Sequence, residues 1–243
     1  MNHKQLSANN FSSFRFLTEL PVGSQIPLQV SNSTDFESIE TYTVTVAPYQ
    51  NASIEDLTEA DHQLIRIHAF DSRGMTRQLK NFLQQAMKKS QDIIIDLRYC
   101  PGGSLYEAID AASLFLPADL EVSYLTKADH QKLRPLSSLP GKITTDQKIY
   151  LWVSSFTASA AEIFARILKH YANATIVGTP TQGKCLSQRQ FEFEDGSALQ
   201  LSVFEILGPD KQPCQGKGIQ PDIIIAPDQI TNSQYYLEKF EQD

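Results

Sequence analysis

A run of small residues between an apolar strand and an amphipathic helix constrains the fold of this chain more than any other stretch. Residues 148–153 form the apolar run of a buried strand, and the apolar residues after position 162 recur at helical spacing. The segment 154–162 therefore forms a strand-to-helix turn, with Ser159 at the start of the helix. Backbone N–H groups and the helix dipole at such a position would stabilise an oxyanion. A plain helix cap also suits Ser159, and the residues alone favour that simpler interpretation.

Strand and helix signals alternate through the middle of the chain, which is typical of an α/β fold. Apolar runs of buried strands and apolar stripes at three-to-four spacing follow one another from residue 62 onward. Residues 127–147 are polar and are predicted to be a surface excursion. We predict strands at 64–70, 92–97, 120–125, 174–178 and 223–225. Residues 188–207 alternate as in β strands and are broken by a turn at 194–197. Helices are predicted over about 75–87, from about 105 onward and at 233–240.

The front of the chain is predicted to be separate from this core. Residues 1–13 are rich in Asn, Ser and Lys and are predicted to be loose. Residues 14–50 are predicted to form a small β segment, with strands at 25–30 and 41–46. We predict that 51–61 is a polar linker or a short helix and that 62–243 is the main domain.

The composition argues against several classes of function. The 243-residue chain carries a net charge of −7 and has no long basic run, so nothing indicates a nucleic-acid or anionic-membrane surface. No apolar run reaches the length of a membrane span, and residues 1–20 lack the apolar core of a signal peptide. A complete chain of this sequence would therefore stay in the cytoplasm. The composition leaves open whether the chain forms a homo-oligomer.

The three cysteines are Cys100, Cys185 and Cys214. Their odd number and wide spacing argue against a disulfide framework and against a cysteine-based zinc site, although one pair could still form in an oxidising compartment. We expect no metal and no cofactor.

The candidate chemistry of the small-residue turn is acyl transfer, which needs a nucleophile, a base and donors aimed at the oxyanion. Ser159 offers the nucleophile, and the N–H of Ala160 offers one donor. A second donor could come from Gly102 or Gly103, because adjacent glycines after a buried strand let backbone N–H groups approach a substrate carbonyl closely. An ordinary turn is the simpler interpretation of these two glycines.

The base cannot be chosen from the residues alone. The five histidines, at positions 3, 62, 68, 130 and 170, lie in no sequence pattern of a Ser–His–Asp triad. A lysine can replace histidine where desolvation or cationic neighbours keep its amine neutral. Lys184 lies in a loop after the strand at 174–178, but most loop lysines are solvated, so this pattern does not single it out.

A resemblance to a known family indicates which residue is the base. The chain resembles the C-terminal processing peptidases, also called tail-specific proteases, a family of Ser–Lys serine endopeptidases. The resemblance covers about residues 62–227, and Lys184 follows Ser159 at the family's spacing of 25 residues. Four stretches carry the resemblance in the family's order: Asp-Leu-Arg-Tyr-Cys-Pro-Gly-Gly at 96–103, Thr-Ala-Ser-Ala-Ala-Glu at 157–162, the segment 178–188, and the paired landmarks at 195–197 and 216–222.

The resemblance implies a role for each candidate. Ser159 would be the nucleophile, Lys184 the general base and Gln188 the residue that orients the lysine amine. The oxyanion hole would combine the Ala160 N–H with a glycine N–H from position 102 or 103. The implied fold is the ClpP/crotonase-like ββα spiral core, and the implied partner is an unfolded or extended polypeptide cleaved through an acyl-enzyme.

The chain departs from the family at several points. Cys100 stands where Asn is common, Ala161 where a second Ser is common, and Cys185 where Gly is common. A thiol at Cys185 lies beside the predicted base, so its oxidation could gate activity, while a small buried residue is the simpler interpretation. Residues 14–50 resemble only the last strands of a PDZ domain, which leaves the capture of substrate tails uncertain.

Two alternatives remain open beside the peptidase. A catalytically silent relative would bind peptides or act as a scaffold, but the presence of Ser159, Lys184 and Gln188 argues against it. A crotonase-like acyl-CoA enzyme would share the core and the Gly-Gly loop, but it would need a carboxylate near that loop and would give Lys184 no role.

Overall fold

The computed structural model describes residues 21–31, 39–47, 52–58, 62–71, 74–89, 92–127, 132–141, 143, 147–195 and 197–240. The chain divides into two compact units, 1–51 and 52–243. The predicted loose segment 1–13 lies outside the described residues. Nothing among the described residues forms a helix long and apolar enough to cross a membrane.

The first unit contains a two-stranded antiparallel sheet. β1 (Gln25–Ser31) pairs with β2 (Ile39–Thr45) in a continuous register. The Val46 N–H donates to Ser24 O at 2.8 Å, which extends the pairing beyond the strand ends. These strands lie where strands were predicted, at 25–30 and 41–46. The bounds 14–50 of the small β segment and its likeness to the end of a PDZ domain stay predictions.

The second unit is built on a six-stranded sheet in the order β12-β9-β8-β5-β4-β3. All neighbours are parallel except β3, which pairs antiparallel with β4. A second, antiparallel sheet has the order β10-β11-β6-β7. The strands are β3 (Ile54–Asp56), β4 (Gln63–Ile67), β5 (Ile93–Asp96), β6 (Glu121–Thr126), β7 (Arg134–Ser137), β8 (Ile149–Val153), β9 (Thr175–Gly178), β10 (Leu186–Glu192), β11 (Ala198–Leu207) and β12 (Ile223–Ile224).

Helices cover both faces of the six-stranded sheet, which explains why its central strands are buried along their whole length. The helices are α1 (Met75–Lys89), α2 (Leu105–Ser113), α3 (Ala160–Tyr171) and α4 (Ser233–Phe240). Ile93 and Ile95 of β5 join the large core with α1, α2 and α3, whereas Ile94 joins a smaller core with Tyr236 of α4. This alternation confirms the mixed α/β class predicted from the sequence, and each predicted helix and buried strand is present.

The structure corrects two segment predictions. β3 lies inside the predicted linker 51–61, where Ile54 is buried and faces Ile67 of β4. β7 lies inside the predicted surface excursion 127–147, and Leu136 and Ile143 are buried. Both segments carry isolated apolar residues in polar surroundings, and each pairs with the strand next to it in sequence although its own short pattern does not indicate a strand. The second unit therefore begins at residue 52, ahead of the predicted start at 62.

Candidate active site

The predicted site residues lie on three loops at one edge of the six-stranded sheet, except Ala160, which begins α3, and Gln188, which lies on β10. β5, β8 and β9 are parallel, so their carboxyl ends meet at the same edge. The loop after β5 carries the two glycines, the loop after β8 carries Ser159, and the loop after β9 carries Lys184. Side-chain sites in open parallel sheets form at this edge because successive loops converge there.

Ser159 has an unusual backbone at the start of α3. Its φ of 55° and ψ of −122° lie outside the extended region that an ordinary helix cap adopts. Its N–H donates to the Glu162 carboxylate at 3.0 Å, which places the side chains of the first helical turn around the serine. Strained backbone of this kind in a non-glycine residue persists where the surroundings enforce it and is concentrated at functional sites.

Gly102 packs directly against the turn that carries Ser159. With φ +104°, it has a backbone that side-chain-bearing residues rarely adopt, and a Cβ placed there would lie 2.7 Å from Ala158 O and 2.8 Å from Ser159 Cβ. Burial raises the pKa of the neighbouring Cys100 thiol to about 12, although a hydrogen bond from the Gly102 N–H acts in the opposite direction. Gly103, the next residue, lines the cavity beside Ser159.

Hydrogen bonds join the glycine loop to the serine turn. Thr157 Oγ1 donates to Leu97 O at 2.8 Å, the Ala158 N–H donates to Cys100 O at 3.1 Å, and Ser154 Oγ donates to the carbonyl oxygen of the residue after Leu97. Ser154, Thr157 and Cys100 are fully or almost fully buried. These contacts fix the glycine loop relative to the nucleophile candidate without any contribution from a ligand.

A buried ion pair anchors the base of the glycine loop. Arg98 donates to both carboxylate oxygens of Asp96, at 2.9 and 2.8 Å, and its guanidinium contacts the rings of both Trp152 and Tyr236. Burial alone would raise the pKa of Asp96, but the hydrogen bonds and charge of Arg98, with the charge of Arg66, outweigh it and hold that pKa below its ordinary value. Asp96 is therefore ionised, and Arg98 ties the loop to α4 through Ser233 Oγ at 2.8 Å.

Glu162 connects the nucleophile candidate to the base candidate. This carboxylate is completely buried, and besides the Ser159 N–H it accepts the Lys184 N–H at 2.8 Å and the Gly183 N–H at 2.7 Å. Thr181 Oγ1 donates to it at 2.5 Å. Four donors from two loops therefore converge on one carboxylate, which sets the separation of the loop backbones.

A cavity of about 280 Å³ brings most of the predicted residues together. Ser159, Ala160, Gly103, Lys184 and Gln188 all line it, while the buried Gly102 does not. Gln188 Oε1 accepts a hydrogen bond from Gln200 Nε2 at 3.1 Å. Lys184 is exposed, so in this structure the chain itself does not bury the amine.

Cys185, next to Lys184, is bonded to Cys214 across 29 residues. The one disulfide that the sequence left open therefore forms, and Cys100 remains a free, buried thiol. The cross-link holds the lysine loop to the loop before β12, where Gln215 Oε1 also accepts the Cys185 N–H at 2.8 Å. Cys185 is thus fixed at the backbone and at the side chain.

The described histidines, at positions 62, 68 and 170, lie away from the cavity. His68, for example, contacts Glu55 at 3.3 Å and is exposed. His3 and His130 lie outside the described residues. Within the part of the chain that the structure describes, no group of His, Cys, Asp or Glu could hold a metal ion.

Sequence reasoning missed Glu162 and Thr181 as parts of the site. Ser159 and Glu162 have the Ser-x-x-Glu spacing of a capping box, which was the available signal. The spacing indicates the bond to the Ser159 N–H, but it gives no sign that the same carboxylate also holds the lysine loop. Thr181 carries no sequence signal of its own.

Comparison with known proteins shows which family this chain resembles in sequence. A model of the family described as Peptidase family S41 matches residues 61–225, more than half of the chain. A CtpA-like serine protease of Staphylococcus haemolyticus is 36% identical over 150 residues, which cover 61% of this chain and 30% of that protein. A CtpA-like serine protease of Staphylococcus epidermidis is 33% identical over 175 residues, which cover 72% of this chain and 35% of that protein. The chain thus spans about a third of the length of these curated relatives.

Solved structures share the fold. The photosystem II D1 C-terminal processing protease matches with a TM-score of 0.69 at 21% identity, over 85% of this chain and 57% of that one. Mature CPAF matches with a TM-score of 0.60 at 15% identity, over 78% of this chain and 53% of that one. At these identities the likeness carries the fold alone, and the arrangement of side chains has to be argued from this chain.

Proposed function

This chain belongs to peptidase family S41, and we propose that it is a serine endopeptidase that cleaves unfolded or extended polypeptide through a Ser159–Lys184 dyad. The observation that carries the proposal is that Ser159, Lys184 and Gln188 line the same cavity as Gly103 and Ala160, the two proposed oxyanion donors. The CtpA-like serine protease relatives support the same reaction class. No Asp or Glu among the described residues lines the cavity, which disfavours the crotonase-like alternative.

In the proposed reaction, Ser159 Oγ attacks a peptide carbonyl while neutral Lys184 takes the hydroxyl proton. The N–H groups of Ala160 and Gly103 stabilise the oxyanion. We assign the second donor to Gly103 because Gly103 lines the cavity and the buried Gly102 does not. The Lys184 ammonium then protonates the leaving amine, and water hydrolyses the acyl-enzyme with the lysine again acting as base. Gln188 orients the lysine amine, and Gln200 holds the Gln188 amide.

The exposure of Lys184 defines what the substrate has to supply. A lysine acts as a base only when its amine is neutral, and removal of water favours the neutral form. A polypeptide that covers the cavity removes water from the amine at the moment when the reaction needs a base. Occupied and empty sites would therefore differ in the state of Lys184.

The test is cleavage of unfolded casein by the wild type and by Ser159→Ala and Lys184→Ala, read by mass spectrometry between about pH 6 and about pH 10, where perturbed lysine amines titrate. We expect each variant to lose at least about 10³-fold in kcat/KM, because removing one member of a catalytic unit costs about as much activity as removing all of them. Wild-type cleavage should rise with pH. Ser155→Ala and Lys217→Ala are matched controls at exposed positions outside the cavity and should cleave like the wild type.

Equal cleavage by the wild type, Ser159→Ala and Lys184→Ala would overturn the proposal, because it would point to a different nucleophile. Absence of casein cleavage by the wild type, with casein still bound, would favour the catalytically silent relative instead.

A further inference from the structure

β10 has an open edge beside the candidate active site. Among the described strands it pairs with β11 alone and forms the end of the four-stranded sheet. All residues from Gln188 to Glu192 are exposed. An edge strand presents a row of unpaired backbone N–H and C=O groups, which is a template for another extended chain.

The hydrogen bonds of the hairpin identify which backbone groups face that edge. The Phe193 N–H donates to Ser197 O at 2.9 Å, so these two residues form a hydrogen-bonded pair. Such pairs alternate with non-hydrogen-bonded pairs along an antiparallel ladder. Counting back along the register, Glu192, Gln190 and Gln188 fall in non-hydrogen-bonded pairs. Their N–H and C=O groups therefore point away from β11.

The other end of β10 gives the same result. The Ile206 N–H donates to Cys185 O at 2.8 Å, which makes the adjacent pair, Leu186 with Glu205, non-hydrogen-bonded. The two ends of β10 are counted separately because the pairing register shifts between Ser187 and the next residue. Leu186 is thus the first residue after the lysine loop whose backbone groups are free to pair.

The open edge is continuous with the cavity. Leu186 and Gln188 present their backbone groups at the edge, and both residues also line the cavity that contains Ser159. Lys184 directly precedes the strand. At about 3.4 Å per residue, the edge from Leu186 to Glu192 extends about 20 Å from the site, enough for a segment of several substrate residues.

We propose that the open edge of β10 binds the substrate backbone, so that an extended polypeptide becomes a fifth strand of the sheet with its scissile bond at Ser159. The proposal rests on the proposed function and names how that site recognises its substrate. β-strand addition obtains affinity from main-chain hydrogen bonds, which suits cleavage of unfolded chains of varied sequence. A strand added there also covers the exposed Lys184 and supplies the desolvation that the base requires.

The first test is an N-methyl scan of a synthetic casein peptide of about ten residues. The peptide is one that the wild type cuts or, if the wild type cuts none, the casein peptide that Ser159→Ala binds most tightly. N-methylation removes one backbone donor at a time, and in an added strand only every second N–H pairs with the edge. We expect affinity for Ser159→Ala to fall about tenfold at alternate positions and little between them.

A flat profile, or losses without a period of two, would overturn edge pairing even if the wild type cleaves casein efficiently. Failure of Ser159→Ala to bind any casein peptide would overturn it as well. Cleavage by the wild type together with a flat scan would leave the Ser159–Lys184 proposal intact, so the two proposals can fail separately.

The second test compares Gln190→Pro with Gln190→Ala. Both variants lose the glutamine side chain, but only proline also removes the N–H that faces the open edge, and proline is tolerated where that N–H points outward. We expect the peptide to bind Gln190→Pro about tenfold more weakly than Gln190→Ala. Equal affinity in two variants with equal thermal stability would overturn the proposal.

Discussion

The two halves of the candidate site are held in different ways. The half with the oxyanion donors and Ser159, called here the buried half, consists of two loops joined by three hydrogen bonds between buried residues, and it is anchored below by the Asp96–Arg98 ion pair. The half with Lys184, called here the exposed half, carries the exposed lysine side chain on a loop and continues into a strand that is exposed from Gln188 onward. It is attached through the Glu162 carboxylate, the disulfide of Cys185 and backbone hydrogen bonds such as that from the Gln182 N–H to Thr157 O at 3.0 Å.

The difference indicates that the two halves contribute to catalysis in different ways. Oxyanion donors are effective when they are preorganised, because reorientation during the reaction would cost the stabilisation that they provide. A base on an exposed loop can be completed by the substrate, which adds selectivity for chains that fit the β10 edge. Variants in the buried half should therefore reduce activity steeply, and variants in the exposed half should reduce it by smaller steps.

The largest effect is expected for Gly102→Ala in the buried half. The new Cβ would lie 2.9 Å from the Ala160 N besides its clashes with Ala158 and Ser159, so the nucleophile turn has to move. A displacement of about 1 Å at a reacting group costs about 100-fold in rate, and we expect at least that loss in kcat for casein cleavage.

The matched control is Gly141→Ala. Gly141 also has a positive φ, of +140°, but a Cβ there would meet nothing within 4 Å. The control therefore carries backbone strain without a clash and should keep its activity. An active Gly102→Ala enzyme would show that the two loops of the buried half are not rigidly packed.

An intermediate effect is expected for Glu162→Gln, which alters the junction between the halves. The amide keeps the volume, but its NH₂ group would face donors where the carboxylate accepts the N–H groups of Ser159 and Lys184. A buried donor left unsatisfied costs about 1–3 kcal/mol. We expect about a tenfold to 100-fold loss in kcat with little change in KM, measured with the same casein peptide.

Glu107→Gln is the comparison for a carboxylate lost elsewhere, because Glu107 accepts from Thr76 at 3.1 and 2.9 Å and does not line the cavity. It should lower the melting temperature with no change in kcat. If Glu162→Gln behaves in the same way, the carboxylate supports the fold alone and does not position the dyad.

The sequence predicts the buried half of the site better than the exposed half. The turn at 154–162 follows from an apolar strand run, small residues and a helical stripe, all of which are local signals. The convergence of Ser159 with the glycines follows from parallel strands whose carboxyl ends share an edge. Local pattern cannot assign the oxyanion role between Gly102 and Gly103, because that choice depends on which of the two glycines lines the cavity.

The contacts of the exposed half come from residues far apart in sequence. The convergence of Thr181 and Gly183 on Glu162 exists only after β9 has returned to the sheet, and Cys185 meets Cys214 only after the β10–β11 hairpin has folded. The strands missed at Ile54 and Leu136 have a different cause, because each pairs with the strand next to it in sequence. Each is only three or four residues long and buries a single residue, which is too little for a strand pattern to be recognised. Long-range contacts therefore explain the unpredicted part of the site, and short strands explain the unpredicted part of the fold.

The smallest effect on activity is expected for the loss of the disulfide. Cys214→Ser opens a 29-residue loop but leaves the Cys185 N–H bonded to Gln215 and the Lys184 N–H bonded to Glu162. Chain entropy gives such a cross-link about 3–4 kcal/mol of stability, whereas the lysine loop keeps its backbone anchors. We expect a clear drop in melting temperature and about a twofold to fivefold loss in kcat/KM, in line with loosened positioning.

Treatment with a reductant tests whether breaking the disulfide is itself the cause of this loss of activity. It should reduce the activity of the wild type to that of Cys214→Ser and leave the variant unchanged, because Cys100 is buried and its raised pKa keeps the thiol protonated. Equal activity of reduced and oxidised wild type would mean that Glu162 and the hydrogen bonds to the loop backbone fix the lysine loop without the disulfide. The exposed half would then be held by hydrogen bonds alone, as the two loops of the buried half are held to each other.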